Sequence, residues 1–582
     1  MSRTTRKSPT KKSNTESLIQ HEAGQVRAVI ERVSPELDGG RFPIKVLSGE
    51  TVVVEADIFT DNHEPLTAVL LYKHAGDTEW IESPLTFIDN DRWTGSFLLE
   101  SPGRYIYTIE AWVADKRQYA ARYKELVVEV DPQKAGFSAW YGLFPRSISE
   151  EPGQHGTFRE VERALPRIAA LGFDVLYLPP IHPIGVTGRR GKNNQSGAQA
   201  GDPGNPYSVG NELGGHTAIH PELGTLDDFI HLIQIARNYE IDVALDFAVQ
   251  CSPDHPWVKE HPNWFKKPDA GQNGVAEPEI YAFDFETEDW AALWLSLKQV
   301  LLTWASWGVR IVRASSADQK PFAFWEWIIR EVKKEYPDLV FQAEAFTMPK
   351  IMRQLAKRGF SQSCTYYIWR NTKHELQEYV NELRWSEMQT YYRPVFWPAT
   401  LDINPFNLQA GHEPQALIRY FMAATLSANY GIFGPSFELM AYEAIPGKEE
   451  YLNSEKYEIR HWNRNRNNRL SYLIGIVNRL RKENAALQTT NNLTFCRIDD
   501  DALMAYLKVT EANRLLIVVN LDTYNNRGGM VQVPIGQLGI SEEQEYTVHD
   551  LLTDAYYTWK GAWNYVELDP YVLPMHLLRI EL

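Results

Sequence analysis

Gly308-Val-Arg-Ile-Val-Arg-Ala-Ser-Ser316 reads as a short buried strand that runs into a polar loop. Val340-Phe-Gln-Ala-Glu-Ala-Phe-Thr347 repeats the pattern further on and carries a carboxylate, Glu344, just past its apolar run. Upstream, Phe173-Asp-Val-Leu-Tyr-Leu178 and Ile241-Asp-Val-Ala-Leu-Asp-Phe247 do the same. Amphipathic helical stretches come before such strands, for example Phe158 to Leu171 and Thr225 to Tyr239. Apolar strands alternating with helices are the pattern of a parallel sheet covered on both faces. Over this length the repetition predicts a (β/α)8 barrel. A doubly wound sheet is the alternative, and no Gly-x-Gly-x-x-Gly turn follows an early strand to support it. Polar residues gather just after strand ends: His182, Asp246 to Gln250, Ser315, Glu344 and Asp402. In a barrel that end is the catalytic face.

The flanks read differently. Val52-Val-Val-Glu-Ala-Asp-Ile-Phe59 and Tyr105-Ile-Tyr-Thr-Ile-Glu-Ala-Trp112 have strand composition, and the clusters Asp61–Pro65 and Ile88–Asp91 read as turns between strands. The chain is therefore expected to be multidomain, α/β and β. Residues 25–132 form an N-terminal β-sandwich of immunoglobulin-like size. Residues 133–488 form the barrel with inserted loops, and 489–582, with Leu515–Leu521 and Tyr565–Leu568 as strands, form a C-terminal all-β domain. Residues 1–24 read as a disordered basic tail containing Arg3, Arg6, Lys7, Lys11 and Lys12.

Composition excludes several classes. The chain has 582 residues and a net charge of −16, which argues against a nucleic-acid partner. No apolar run approaches the roughly 18 residues of a membrane span, and no signal-peptide core is evident. Cys251, Cys364 and Cys496 are odd in number and far apart, which suits a reducing cytoplasm. No metal-ligand spacing stands out. His182, His216, His220 and His255 read as hydrogen-bonding loop residues, so neither a metal nor an organic cofactor is expected. Trp140, Trp257, Trp325 and Trp397 could stack on sugars, but each reads first as core.

Glycoside transfer with retention needs two carboxyl groups about 5 Å apart, one a nucleophile and one an acid/base. Several long segments resemble glycoside hydrolase family 13, and more narrowly the bacterial maltosyltransferases that use α-maltose 1-phosphate to extend 1,4-α-glucans. They include Phe137-Ser-Ala-Trp-Tyr-Gly-Leu-Phe-Pro-Arg146, Gly172–Gly185, Ala244-Leu-Asp-Phe-Ala-Val-Gln-Cys-Ser-Pro-Asp-His-Pro-Trp257, Lys320–Trp327 and Gly447–Ile459. The resemblance runs from about residue 25 to the end.

Position by position, the resemblance implies roles. Glu344 falls on the acid/base, Asp402 on the transition-state stabiliser and Arg313 on the arginine that braces the nucleophile. Gln250 falls on a substrate contact and Lys456 with Tyr457 on a donor-site pair. Arg190 falls where the family usually has Lys near the donor phosphate. Glu279 replaces an Asp, and Ser316 replaces an Asn beside the nucleophile. The nucleophile itself is missing: the family's Arg-Val-Asp-Asn-Pro-His-Thr-Lys-Pro is here Arg313-Ala-Ser-Ser-Ala-Asp-Gln-Lys-Pro321, with Ser315 at the critical place. Asp318 lies three residues further along and is not expected to replace it. The stretch before Tyr281, Gln272–Glu279, is shorter than in the family and lacks Lys. Between Tyr123 and Phe137 too few residues stand to build the family's dimer bundle.

Two readings of function follow. One is an α-glucan-metabolism protein of little or no transferase activity, binding α-1,4-glucan or maltosaccharide or partnering an active homologue in a homo- or hetero-oligomer. The other is an active transferase or hydrolase on such glucans with an altered mechanism. α-Maltose 1-phosphate is the donor that the resemblance implies for either.

Overall fold

The computed structural model describes residues 25–61, 64–266, 278–464, 466 and 468–581. The basic tail and most of the Gln272–Glu279 stretch lie outside the described residues. The chain divides into two compact units, residues 1–130 and 131–582.

In the first unit two antiparallel sheets face each other. One has the order Val29–Ser34, Glu50–Phe59, Arg92–Leu99, Thr86–Asp89. The other runs Ile44–Leu47, Leu126–Asp131, Gly103–Val113, Leu66–His74, Ile81–Pro84, with Ala121–Arg122 beside Gly103–Val113. In strand Glu50–Phe59 the buried residues are Val52, Val54, Ala56 and Ile58, the period of two that a half-covered sheet requires. Tyr72 of one sheet stacks on Phe97 of the other with ring centroids 4.7 Å apart.

The second unit opens with the barrel. Its eight parallel strands are β1 (Ser138–Gly142), β2 (Val175–Leu178), β3 (Asp242–Phe247), β4 (Ile311–Ala314), β5 (Val340–Ala343), β6 (Gln362–Cys364), β7 (Pro394–Phe396) and β8 (Asn429–Phe433). They pair in sequence, and β8 returns to β1 from Ser138↔Asn429 to Gly142↔Phe433, which closes the barrel. The principal helices are α1 (Phe158–Ala170), α2 (Leu226–Asn238), α3 (Trp290–Trp307), α4 (Phe322–Glu335), α5 (Pro349–Lys357), α6 (Lys373–Trp385), α7 (Glu413–Leu426) and α8 (Arg469–Glu483).

The sequence explains these elements locally. Thr157 with Glu160, Thr225 with Asp228 and Thr372 with Glu375 form reciprocal capping boxes that start α1, α2 and α6. Helix α1 buries Phe158, Val161, Leu165 and Ile168 on one face. Gly308, at φ 108°, ends α3 in a left-handed cap that a Cβ would strain. Strand β4 begins at Ile311 rather than Val309, because the Val309 N–H still bonds Trp304 O at 3.1 Å, and it extends to Ala314. Asp131 is fully buried between Lys333 Nζ at 2.6 Å, Ser361 Oγ at 2.9 Å and Arg393.

The C-terminal strands form a six-stranded sheet in the order Leu493–Cys496, Leu503–Thr510, Asn513–Asn520, Met575–Glu581, Glu545–Asp550, Ala555–Lys560. Arg527–Gln532 pairs with Trp563–Leu568, and the two layers share an apolar core including Leu516, Val518, Val531, Val548, Trp559 and Leu578. Among the described residues, no helix is long and apolar enough to cross a membrane.

Candidate functional site

The site is built at the carboxyl ends of the barrel strands, and its centre is Asp246 near the end of β3. This carboxylate is fully buried and accepts four donors. Tyr177 OH lies 2.6 Å away and Tyr207 OH 2.7 Å, both on Oδ2. Arg313 Nη1 lies 2.8 Å from the same oxygen, and the Ser315 hydroxyl donates to Oδ1. With that many donors its lone pairs are spent. In this geometry Asp246 acts as a structural acid that holds Arg313 in place.

Arg313 sits on β4 with its guanidinium 5.0 Å from the Tyr177 ring centroid. Its Nη2 approaches Glu344 Oε1 at 3.6 Å. Burial works to lower the pKa of Arg313, but Tyr177, Asp246 and Glu344 outweigh it and raise it well above its usual value. Glu344 stands directly after β5. Its backbone N–H bonds Ala314 O at 3.0 Å, and Oε2 accepts the Ser316 N–H at 2.8 Å. Burial pushes the Glu344 carboxyl above the ordinary range, with Arg313 opposing the shift. That is the direction of shift an acid/base carboxyl needs.

Ser315 bonds to Asp246 through its hydroxyl, and among the described residues no His or Lys bonds to it. Ser316 takes a left-handed conformation, φ 47° and ψ 48°, which Asn or Gly adopts more easily than Ser. Ala317 is fully buried, its N–H bonding Glu344 O at 2.9 Å while its carbonyl accepts Trp325 Nε1 at 2.8 Å. Asp318 lies beside Lys320 rather than at the Glu344 carboxyl. Burial lowers the Lys320 ammonium to about 8 although Asp318 acts against the shift.

Asp402 lies in a turn after β7, held by Thr400 Oγ1, which accepts the Asp402 N–H at 3.2 Å. Its Oδ1 is 2.8 Å from Lys456 Nζ, which stands 5.0 Å from the Tyr207 ring centroid. Burial opposes the charged Lys456, but Asp402 overrides it and the pKa rises. Tyr457 follows in the same loop, its phenol pushed up by burial. The structure therefore brings Arg313, Ser315, Ser316 and Glu344 together, with Asp402 on the loop after β7 paired to Lys456 on the loop after β8, where Tyr457 also lies.

Gln250, Glu279 and Arg190 are placed further out. Gln250 Nε2 donates to Tyr207 O at 3.2 Å. Glu279 accepts Asn205 Nδ2 at 2.9 Å and the Arg190 N–H at 3.4 Å. The Arg190 guanidinium turns back to Ser196 Oγ at 2.8 Å on the rim of a cleft of about 550 Å³ lined by residues 186–202. It does not join the Glu344 cluster.

Three functional residues were not singled out from the sequence. Tyr177 lies inside a quoted strand, yet nothing in the strand pattern distinguishes it from core. Tyr207 follows Pro206 in a long loop with no periodicity. Arg146 is buried and donates to Gly204 O at 2.8 Å, Glu455 O at 2.7 Å and Lys456 O at 2.8 Å, fixing the Lys456 loop. Trp140 and Trp325 are fully buried and Trp397 is buried, as core residues are, whereas Trp257 stacks on His216 with centroids 5.9 Å apart. His182 Nδ1 donates to Ala218 O at 2.9 Å, and His216 lies against His255 at 3.2 Å, as loop hydrogen-bonding residues. His220 also fits that reading, its Nδ1 accepting the Glu222 N–H at 3.3 Å, but it has further neighbours. It meets His155 and Glu222, with candidate ligand atoms within 4.8 Å of one another. Linear spacing hid this because His155 belongs to a different loop.

The barrel architecture is the class shared by α-amylases and their relatives. The chain superposes on a cyclomaltodextrinase with a TM-score of 0.62 at 14% identity, over 94% of this chain and 99% of that one. It superposes on an α-amylase from Lactobacillus plantarum with a TM-score of 0.60 at 19% identity, over 77% and 100%. More specific likeness lies in sequence. The chain is 43% identical to an α-1,4-glucan:maltose-1-phosphate maltosyltransferase of Chlorobaculum tepidum, over 96% of this chain and 97% of that protein. It is 41% identical to the protein of the same name from Methylacidiphilum infernorum, over 96% of each. Residues 26–131 match the family profile described as α-1,4-glucan:maltose-1-phosphate maltosyltransferase, domain N/S, and residues 495–580 the profile described as GLGE, C-terminal. The chain belongs to the α-1,4-glucan:maltose-1-phosphate maltosyltransferase family, within glycoside hydrolase family 13.

Proposed function

We propose that this protein acts in α-glucan metabolism as a glucan- or maltosaccharide-binding member of its family with little or no transferase activity of its own. One observation carries the reading: where the family's nucleophilic Asp is expected at the end of β4, Ser315 stands and donates a hydrogen bond from its hydroxyl to Asp246. A hydroxyl attacks an anomeric carbon only when a base takes its proton. Asp246 is a poor base here, because Arg313 and two tyrosines already occupy it. Glu344 in the acid/base position and Asp402 in the stabiliser position would then serve binding rather than bond cleavage, with Gln250, Lys456 and Tyr457 as further sugar contacts. Arg190, Ser316 and Glu279 would line the donor side, where α-maltose 1-phosphate, the donor in the relatives' name, binds weakly if at all.

The same reading assigns residues 25–132, 133–488 and 489–582 to a sandwich, a barrel and a C-terminal β domain. It places the protein in the cytoplasm, in keeping with three buried free thiols. It gives the chain no family dimer. The alignment to the Chlorobaculum relative runs over 650 positions against 582 residues here, so that relative carries segments this chain lacks.

The test is phosphate release from α-maltose 1-phosphate with glycogen, alongside calorimetry with maltoheptaose. Binding without turnover is expected. Turnover of about 1 per second or faster, typical of enzymes, would establish instead the active transferase with altered mechanism. No heat and no retention on glycogen at millimolar sugar would leave neither reading standing.

A further inference from the structure

We infer that His155, His220 and Glu222 form a binding site for a divalent transition metal of the Zn²⁺ class, clipping the loop after β1 to the loop after β2. One ligand atom from each of the three residues lies within 4.8 Å of the others. A tetrahedral Zn²⁺ with bonds of about 2.0–2.2 Å needs ligand atoms roughly 3.4 Å apart. Small rotations about the side-chain bonds close that gap. The imidazole rings already face each other, with centroids 5.3 Å apart and planes 32° from parallel.

Both loops are set by backbone bonds rather than by the cluster itself. The Gly156 N–H bonds Arg146 O at 2.8 Å, and a Cβ at Gly156 would meet Pro145 O at 2.3 Å, so His155 is held close to the barrel mouth. His155 Nδ1 donates to Gly156 O at 2.8 Å, which leaves the Nε2 lone pair free. A ligating His whose second nitrogen is fixed by a carbonyl is the usual arrangement around Zn²⁺. The His220 N–H bonds Ile181 O at 2.8 Å, and Pro221 opens the short turn that brings Glu222 beside His220. His220 Nδ1 accepts the Glu222 N–H at 3.3 Å, a long bond that ligation through either ring nitrogen would give up.

The donor set selects the ion. Two imidazoles and one carboxylate suit Zn²⁺, Co²⁺ or Ni²⁺, whereas Mg²⁺ and Ca²⁺ prefer oxygen. Arg146 and Arg189 act on His220 as nearby cations, which weakens metal affinity. The three residues leave a fourth position for water. The linked loops carry Arg146 on one side and Arg190 and Tyr207 on the other, so an occupied site would stiffen the rim of the sugar site.

The test uses tag-free full-length protein stripped with chelator and titrated with Zn²⁺ against a chromophoric competitor. One Zn²⁺ per chain is expected, with Mg²⁺ and Ca²⁺ failing to compete. His155→Ala/His220→Ala is expected to bind at least tenfold more weakly, and to lose the rise in Tm that Zn²⁺ produces in the wild type. Glu222→Gln, an exposed change that should leave folding intact, is expected to weaken binding several-fold. Equal Zn²⁺ affinity in wild type and Glu222→Gln together with a folded double variant would overturn the site, as would absence of any stoichiometric binding.

Discussion

Ser315→Asp with Ser316→Asn tests directly the proposal that Ser315 stands in the nucleophile's place. Ser315 Oγ bonds Asp246, so a carboxylate at position 315 would lie about 4 Å from that of Asp246. At an effective dielectric of about 20, two like charges at that separation repel by about 4 kcal/mol. Arg313 stands 2.8 Å from Asp246 and 3.6 Å from Glu344, and its attraction for the new carboxylate is of the same order. The two effects nearly cancel, so the variant should fold, with a stability change of about 1–2 kcal/mol at most. Asn at position 316 suits the left-handed backbone there better than Ser. The new charge would also raise the Glu344 pKa further, so the acid keeps its proton to higher pH and the rate falls as pH rises through that raised value. In subtilisin, loss of the nucleophile costs roughly 10⁶ in turnover. Recovery of a thousandth of such a factor is a gain of about 10³ over wild type. The assay is fluoride release from α-maltosyl fluoride with maltoheptaose as acceptor, because a neutral donor avoids Glu279 and the altered phosphate side. Glu344→Gln in the same background should return the rate to the wild-type level. A variant with native circular dichroism and an unchanged unfolding midpoint that releases no more fluoride than wild type would refute the reasoning.

Asp131→Asn leaves Lys333 and Arg393 without their shared buried carboxylate and should cost about 3–5 kcal/mol, read from urea unfolding. Lys508 is fully buried and gives its ammonium hydrogens to Thr425 O and Thr489 O, and burial lowers it to about 7. Between that value and its unfolded pKa, near 10.4, the unfolded chain binds the extra proton, so stability should rise with pH by up to about 1.4 kcal/mol per unit. Lys508→Met should flatten that slope, and an unchanged slope would show that another group is responsible. Lys456→Met leaves Asp402 without its ion pair and should weaken maltoheptaose binding about tenfold, roughly 1.4 kcal/mol, by calorimetry.

The barrel was legible because its strands are short apolar runs with helices between them, a pattern that parallel burial imposes directly. Capping boxes such as Thr157 with Glu160 are legible for the same reason, since both partners lie within one turn. Strand limits were less so: α3 stops at Trp307 and Gly308 caps it, yet the Val309 N–H still bonds back to Trp304, and β4 starts only at Ile311. The site could be read only through the resemblance, which pointed to Glu344, Arg313 and Asp402; the fold sets Glu344 3.6 Å from Arg313, while their roles stay part of the proposal. It was not legible at Tyr207, whose role depends on a long loop folding back over β3. Nor was it legible at His220, which acquires meaning only once another loop delivers His155. Arg190 shows the reverse case, a charge in the expected stretch whose side chain turns to its own loop.

Arg146 joins the loops after β1, β2 and β8 through hydrogen bonds to the carbonyl oxygens of Gly204, Glu455 and Lys456. A clamp that grips main chain is indifferent to which side chains the loops display. Substitutions around the mouth can accumulate without disturbing the frame that presents them. Chemistry and shape are thereby uncoupled here: residues at the reacting centre can drift while the cup around them keeps its form.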